Sequence, residues 1–146
     1  MPIPPALAVA VADAVTSALN AASLSQSVVA ERHYLPVFDL QEMQALHVSV
    51  VPKGMTVAQS SRDSASYDVL VDVAVQKKVD PSDLAELDAL MRLVEEIADL
   101  FRFRRLDGEP MAVWVKTEHS FLFAPEHLQQ LRQFTSVLTL TFRVIR

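Results

Sequence analysis

Residues 67–76 constrain the fold more than any other segment, because large apolar residues recur there at the two-residue period of a β-strand. Tyr67 and four valines fall on one face, and two aspartates and a glutamine fall on the other. The pattern predicts a strand whose valine face belongs to the core. Residues 134–145 alternate in the same way and predict a half-buried antiparallel strand.

Two segments have helical periodicity. Residues 6–22 follow two prolines and place leucine or valine at every fourth position, which predicts a first helix. Residues 80–105 begin with Asp-Pro and carry a long apolar stripe, which predicts a second helix capped by Asp80. Leu93, Leu100 and Phe103 fall off that stripe and indicate a second apolar contact, which packing between subunits would supply.

The remaining segments complete the order α-β-β-β-α-β-β. β-Branched and alternating residues predict three more strands, at 28–37, 46–51 and 111–117. Short helical turns are predicted at 39–45 and 125–128. The sequence therefore predicts an α+β fold with a mostly antiparallel sheet of about five strands packed by two main helices, in one domain spanning residues 1–146.

Residues 52–66 contain proline, glycine and four serines but few large apolar side chains. This composition predicts a long polar loop that faces solvent. Such loops commonly carry a function.

Composition excludes several classes of function. The chain has no cysteine, which excludes disulfides, thiolate metal sites and a cysteine nucleophile. Its two glycines are too few for a phosphate-binding loop. A net charge of −5 disfavours direct DNA binding, which relies on basic surfaces. The apolar N-terminal segment contains polar residues and lacks a basic start, so it predicts neither a signal peptide nor a membrane span.

No residue pattern indicates catalysis, a cofactor or a metal. The four histidines, His33, His47, His119 and His127, are spaced singly and not as metal-ligand pairs. Glu95 and Glu96 face away from the predicted apolar stripe, so solvated carboxylates are expected there. We therefore expect a protein that is not an enzyme. The basic cluster Arg102, Arg104 and Arg105 fits either a helix dipole or a salt bridge between subunits.

Several segments together resemble small neck proteins of phages and prophages, specifically siphophage tail terminator or tail completion proteins. The resemblance covers nearly the whole chain. Its segments are AERHYLPVFDL at 30–40, VVPKG at 50–54, YDVLVDVAVQKK at 67–78, ELDALM at 86–91, LVEEIAD at 93–99 and LRQFTSVLTLTFRVIR at 131–146.

The resemblance implies a structural virion protein in the tail neck, made in the host cytoplasm. It implies a homo-hexameric ring that caps the tail tube, ends tube polymerisation and joins the tail to the head connector. The implied partners are further copies of the chain, the tail tube protein and a connector or stopper protein. DNA would pass through the lumen without specific binding, and no membrane would be involved.

The same resemblance suggests where contacts lie. The 52–66 loop is the candidate contact with the tube or connector, with Arg62 and Asp63 at its charged tip. The full set of interface candidates is Lys53, Met55, Arg62, Asp63, Leu93, Leu100, Phe103, Arg102, Arg104 and Arg105.

Three other functions remain open from the sequence. One is a head-completion or stopper protein on the portal side of the neck. Another is a small enzyme whose site is assembled between subunits from histidines and carboxylates. The last is a monomeric cellular binding module.

Overall fold

The structure is a computed structural model of the chain, and residues 3, 5–34 and 45–146 are described. The elements, in chain order, are α1 (Leu7–Ala21), β1 (Ala30–Arg32), β2 (His47–Gln59), β3 (Ala65–Lys78), α2 (Leu84–Phe101), β4 (Val113–Phe121), a π-helical turn (His127–Leu131) and β5 (Gln133–Ile145). The predicted turn at 39–45 and the end of the predicted strand at 28–37 fall almost wholly outside the described residues.

The strands form one five-stranded sheet in the order β1-β2-β3-β5-β4. β1 pairs with β2 in parallel, and the other neighbours are antiparallel. The predicted α+β class, with two main helices on a mostly antiparallel sheet, is confirmed. No helix in the described residues carries an apolar stretch long enough to cross a bilayer.

The valines of β3 form the centre of the core, as their period predicts. Val69, Val71, Val73 and Val75 have no exposed surface. They share one buried cluster with the inward residues of β5 and with side chains from both helices. Both helices therefore pack on this side of the sheet, which we call the valine face.

The opposite side of the sheet, here called the polar face, carries short polar and charged residues. Asp68 and Asp72 of β3 lie there opposite Arg143 and Thr139 of β5. Thr139 is nearly buried although it is polar, and it donates a hydrogen bond of 2.6 Å to Asp72 Oδ1. The contrast between the two faces explains the alternation in the sequence.

The predicted long loop at 52–66 is wrong. β2 continues to Gln59 and β3 begins at Ala65, so only residues 60–64 form a turn. A register shift between Pro52 and Gly54 admits Lys53 as a bulge, and pairing with β3 then continues to Gln59. This part of β2 is held by backbone pairing and not by burial, so its side chains carry no core pattern. Arg62 and Asp63 do lie exposed at the tip.

The second helix is shorter than predicted at both ends. Asp83, and not Asp80, caps it by accepting a hydrogen bond of 3.1 Å from the Glu86 backbone N–H. The helix ends at Phe101, because Phe103 adopts a left-handed backbone with φ of 60°. Arg102, Arg104 and Arg105 therefore lie beyond the helix, and the expectation that they form its last turn is wrong.

Candidate interaction surfaces

Within residues 3, 5–34 and 45–146, one edge of the sheet is unpaired along half of β2. β1 pairs only with Val48, Ser49 and Val50. Beyond Val50, no strand of the described chain pairs with β2 on its outer side. We call residues 51–59 on this side the open edge.

The hydrogen-bond pattern shows which backbone groups face the open edge. Ala65 exchanges two hydrogen bonds with Arg146, at 2.9 and 3.0 Å, so its N–H and C=O point toward β5. Gln59, the β2 partner of Ala65, is therefore in a non-hydrogen-bonded pair and directs its own groups outward. By alternation, Val57 and Met55 direct their N–H and C=O groups outward as well.

The side chains along the open edge are uncharged from Gly54 to Gln59. Met55 and Val57 lie opposite Val69 and Tyr67, on the valine-face side of the strand, and are 47% and 51% exposed. Soluble proteins usually protect such an edge with charges, prolines or bulges. Here those features stop at Pro52 and Lys53, so the end of β2 is competent to pair with another strand.

The opposite edge of the sheet, formed by β4, is protected in several ways. The backbone N–H of Trp114 donates to the Arg104 carbonyl at 3.1 Å, which covers one end of the strand. Register shifts interrupt β4 near Val115 and near Ser120. Lys116 and Glu118 form an ion pair of 2.7 Å, and the Lys116 ammonium lowers the pKa of Glu118 through that hydrogen bond. β4 is therefore a poor template for an added strand.

An apolar pocket of about 580 Å³ lies beside the start of β4. Its apolar lining includes Met111, Val113 and Ile145, which are 60%, 40% and 48% exposed, and Arg105 and Arg143 lie at its margin. The nearby Phe103 ring is 84% exposed. Together these residues form the β4 patch, an apolar surface bordered by Arg105 and by the Arg143–Asp68 ion pair.

Phe103 is positioned by two ring contacts. It meets Trp114 edge to face, with ring centroids 5.3 Å apart. The Arg102 guanidinium lies 5.8 Å from the Phe103 centroid. These contacts hold a large apolar ring at the surface in a defined orientation, as an interface anchor requires.

The charges of the polar face are largely paired. Arg143 donates to both carboxylate oxygens of Asp68, and this hydrogen bonding holds the pKa of Asp68 below its usual range. The Lys53 ammonium lies 3.8 Å from Asp72. The face thus presents alternating charges and not a positive surface that would retain nucleic acid.

The described residues contain no group of three or more histidine and carboxylate side chains that could hold a metal ion. His33 lies 3.3 Å from Glu31 at one edge of the sheet. His127 contacts Thr135 at 3.0 Å near the π-helical turn. His119 shares a groove of about 680 Å³ with Asp88 and Glu95, a grouping that their sequence spacing does not reveal.

The structure separates the interface candidates into surface groups and core. Leu93 is wrong as an interface residue, because it has no exposed surface and belongs to the core. The apolar face of α2 is wider than one row of side chains, which accounts for that error. Leu100 is half-buried against the same core, and Arg104 is bonded to Asp107 at 3.2 Å.

The remaining candidates are exposed and lie in three places. Lys53 and Met55 are on β2, Arg62 and Asp63 are at its turn, and Arg102, Phe103 and Arg105 are near the β4 patch. Sequence reasoning did not identify Val57, Met111, Val113 or Ile145. The alternation of Met55 with Val57 is the one signal that would have pointed to Val57.

The chain matches no protein-family model, and no curated protein is significantly similar to it in sequence.

Proposed function

We propose that the chain is a structural subunit of a ring that caps a phage tail tube, ends its polymerisation and joins the tail to the head connector. The proposal starts from the resemblance of its segments to siphophage tail terminators. The α+β architecture is compatible with that resemblance. The arrangement of exposed apolar residues carries the argument further.

Exposed apolar side chains lie near both edge strands of the sheet, β1 and β4. Val29 and Tyr34 flank β1 and are 70% and 67% exposed. The β4 patch, with Phe103 and Met111, lies beside the strand at the other end of the sheet. A cyclic ring needs a heterologous interface, in which one patch meets a different patch on the next copy. The β4 patch at one end of the sheet and the exposed Val29 and Tyr34 side chains at the other end suit that requirement.

Charge supports the same side-by-side contact. Glu31 and Asp13 lie on the β1 side, and Asp13 forms an ion pair of 2.6 Å with Arg32. Arg105 is exposed at the border of the β4 patch. A side-by-side contact would therefore bring Arg105 toward Glu31, and opposite charges across an interface steer association in one orientation.

The polar face suits a DNA passage. Both helices pack on the valine face, so a ring with its helices outward would turn the centre of the polar face toward the lumen and leave the β4 patch at its margin, beside the next copy. The paired charges there and the net charge of −5 give DNA no unbalanced positive surface to bind. A strongly basic lumen in an assembled ring would contradict this part of the proposal.

The direct test is to incubate the purified protein with tail tubes assembled without it and to examine the tubes by negative-stain electron microscopy. A ring at one end of each tube, with tube growth stopped, is the expected result. Binding to portal-bearing heads instead would assign the protein to the stopper side of the neck. Binding to neither would contradict a neck function.

A matched pair of variants tests the β4 patch in the same assay. Phe103→Asp replaces the most exposed apolar ring of the patch with a charge and is expected to abolish rings. Leu122→Asp, at a residue 49% exposed near the opposite end of β4, is expected to retain them. Circular dichroism confirms that both variants fold. Equal ring formation by the two variants would show that the β4 patch is not part of the ring interface.

A further inference from the structure

We propose that two copies of the unassembled chain pair through the open edge of β2, antiparallel about a two-fold axis at Val57. The pair is distinct from the ring contact, and its argument does not rest on the proposed phage function. It rests on the backbone groups, side chains and sequence of one strand.

The outward backbone groups determine the register. Met55, Val57 and Gln59 direct N–H and C=O toward the open edge, as derived above from the bonds of Ala65. In an antiparallel pair centred on Val57, Met55 of one copy faces Gln59 of the other, and Val57 faces Val57. Each outward group then gains a partner. A pair centred on Thr56 would instead place Gln59 opposite the bulge at Lys53 and lose bonds.

The side chains are compatible with this register. The two Val57 side chains would meet on the valine-face side, flanked by the two Met55 side chains, and cover surfaces now about half exposed. Lys53 would face the serine at position 61, so no like charges are opposed. An edge that pairs with an identical copy of itself is the simplest isologous interface.

A second copy is the occupant that the structure favours. The β4 edge offers no comparable partner strand, because Arg104, two register shifts and a charged pair protect it. The β2 edge is uncharged over the stretch that pairs. A strand pair of this length buries less than the roughly 1,200 Å² of a stable interface, so we expect a weak and reversible dimer.

The dimer also has a place in assembly. The open edge and β1 lie along the same edge of the sheet, and the ring contact is proposed at β1. Pairing would protect an aggregation-competent strand until ring contacts displace it. Failure of the ring assay would leave the solution dimer intact, and absence of the dimer would leave the ring proposal intact.

The absence of native cysteine allows the register to be read by cross-linking. Thr56 of one copy would face Ala58 of the other in a non-hydrogen-bonded pair, with Cα atoms about 4.5 Å apart and within disulfide reach. Thr56 of both copies would be diagonal neighbours, roughly 7–8 Å apart and beyond that reach. We therefore expect Thr56→Cys and Ala58→Cys to cross-link when mixed and not when oxidised separately.

The measurement is non-reducing electrophoresis after mild oxidation, with the disulfide assigned by mass spectrometry. Glu118→Cys on the protected β4 edge reports collisional cross-linking. A mixed product at least tenfold above this background supports the pair. The proposal would be overturned by a yield of mixed disulfide no higher than this background. It would also be overturned if Thr56→Cys cross-linked with itself as readily as with Ala58→Cys.

Sedimentation of otherwise native chains gives an independent test. Val57→Lys opposes two like charges at the two-fold axis and is expected to weaken dimerisation at least tenfold. Val57→Thr retains β-branching and is expected to change it much less. Val57 is half exposed in one copy, so neither change should unfold the domain. A monomeric native chain at high concentration, or equal dimerisation of both variants, would refute the proposal.

Discussion

Asp68 and Arg143 face each other on β3 and β5, and their side chains form a two-pronged ion pair across the polar face. Arg143 Nε lies 2.7 Å from Oδ1 and Nη2 lies 3.0 Å from Oδ2. A one-residue slip between these strands would move every side chain to the wrong face. The ion pair therefore favours the register that the valine core requires.

Stability should depend on pH through Asp68. Hydrogen bonding from Arg143 lowers the folded-state pKa of Asp68, so its contribution is fully present above the unfolded pKa, about 3.9, and is lost as pH falls through the folded value. Asp68→Asn should lower the urea midpoint at pH 7 and have little effect once native Asp68 is protonated. Urea titrations of both proteins from pH 7 to pH 2 measure this. An equal deficit at every pH would show that the charge is not responsible.

Two phenylalanines should differ strongly in their contribution to stability. Phe142 has no exposed surface and meets Phe101 edge to face at 6.1 Å, whereas Phe103 is 84% exposed. Phe142→Ala should lower the free energy of unfolding by about 3–5 kcal/mol, because it leaves a cavity in the core. Phe103→Ala should lower it by less than about 1.5 kcal/mol, the size of its edge contact with Trp114. Denaturant unfolding of both variants tests the assignment of core and surface.

The sequence predicted those elements that have one apolar face, but the prediction that β5 is half-buried is wrong, because Thr139 and Thr141 on its polar face are also buried. β3 and β5 alternate because the valine face is apolar and the polar face is not. Helix α2 shows a stripe because Leu90, Val94 and Ile97 enter the same core. An apolar face on one side imposes a period on the sequence, so these elements can be recognised without knowing what packs against them.

The rest of the fold depends on contacts that leave no period. The end of β2 is exposed on both sides and is ordered by pairing with β3, so its composition resembles that of a loop. Nothing in the sequence marks Phe103 as the left-handed residue that ends α2. The sequence predicted the candidate surfaces only in part. Their positions at opposite ends of the sheet depend on the strand order, which the sequence does not specify.

The cap of α2 should lie at Asp83. Its side chain accepts from the Glu86 N–H, whereas Asp80 accepts from the Ser82 N–H and hydroxyl before the helix begins. Asp83→Ala should lower the free energy of unfolding by about 1 kcal/mol, the usual contribution of an N-cap. Asp88→Ala, at an exposed position inside α2, should leave it unchanged or raise it slightly, because alanine is the better helix former. Similar losses in the two variants would contradict the assigned cap.

Replacing Arg132 with glycine should stabilise the protein. Arg132 follows the π-helical turn with φ of 52° and ψ of 46°, a left-handed conformation that costs a non-glycine residue about 1–2 kcal/mol. Its carbonyl accepts a hydrogen bond of 2.9 Å from the Val79 N–H, and glycine retains that backbone bond. Glycine also gives the unfolded chain more conformational entropy, which offsets about 0.5–1 kcal/mol of this relief. The free energy of unfolding is therefore expected to rise by roughly 0.5–1 kcal/mol in Arg132→Gly.

The matched control for this substitution is on the same turn. Glu126 has φ of −64° and ψ of −40°, a right-handed conformation in which glycine gives no steric relief. Glu126→Gly should therefore lower the free energy of unfolding by about 0.5–1 kcal/mol through unfolded-chain entropy alone. Thermal and urea unfolding of the two variants should show shifts of opposite sign. Destabilisation by both would mean that the Arg132 side chain contributes more than its backbone conformation costs.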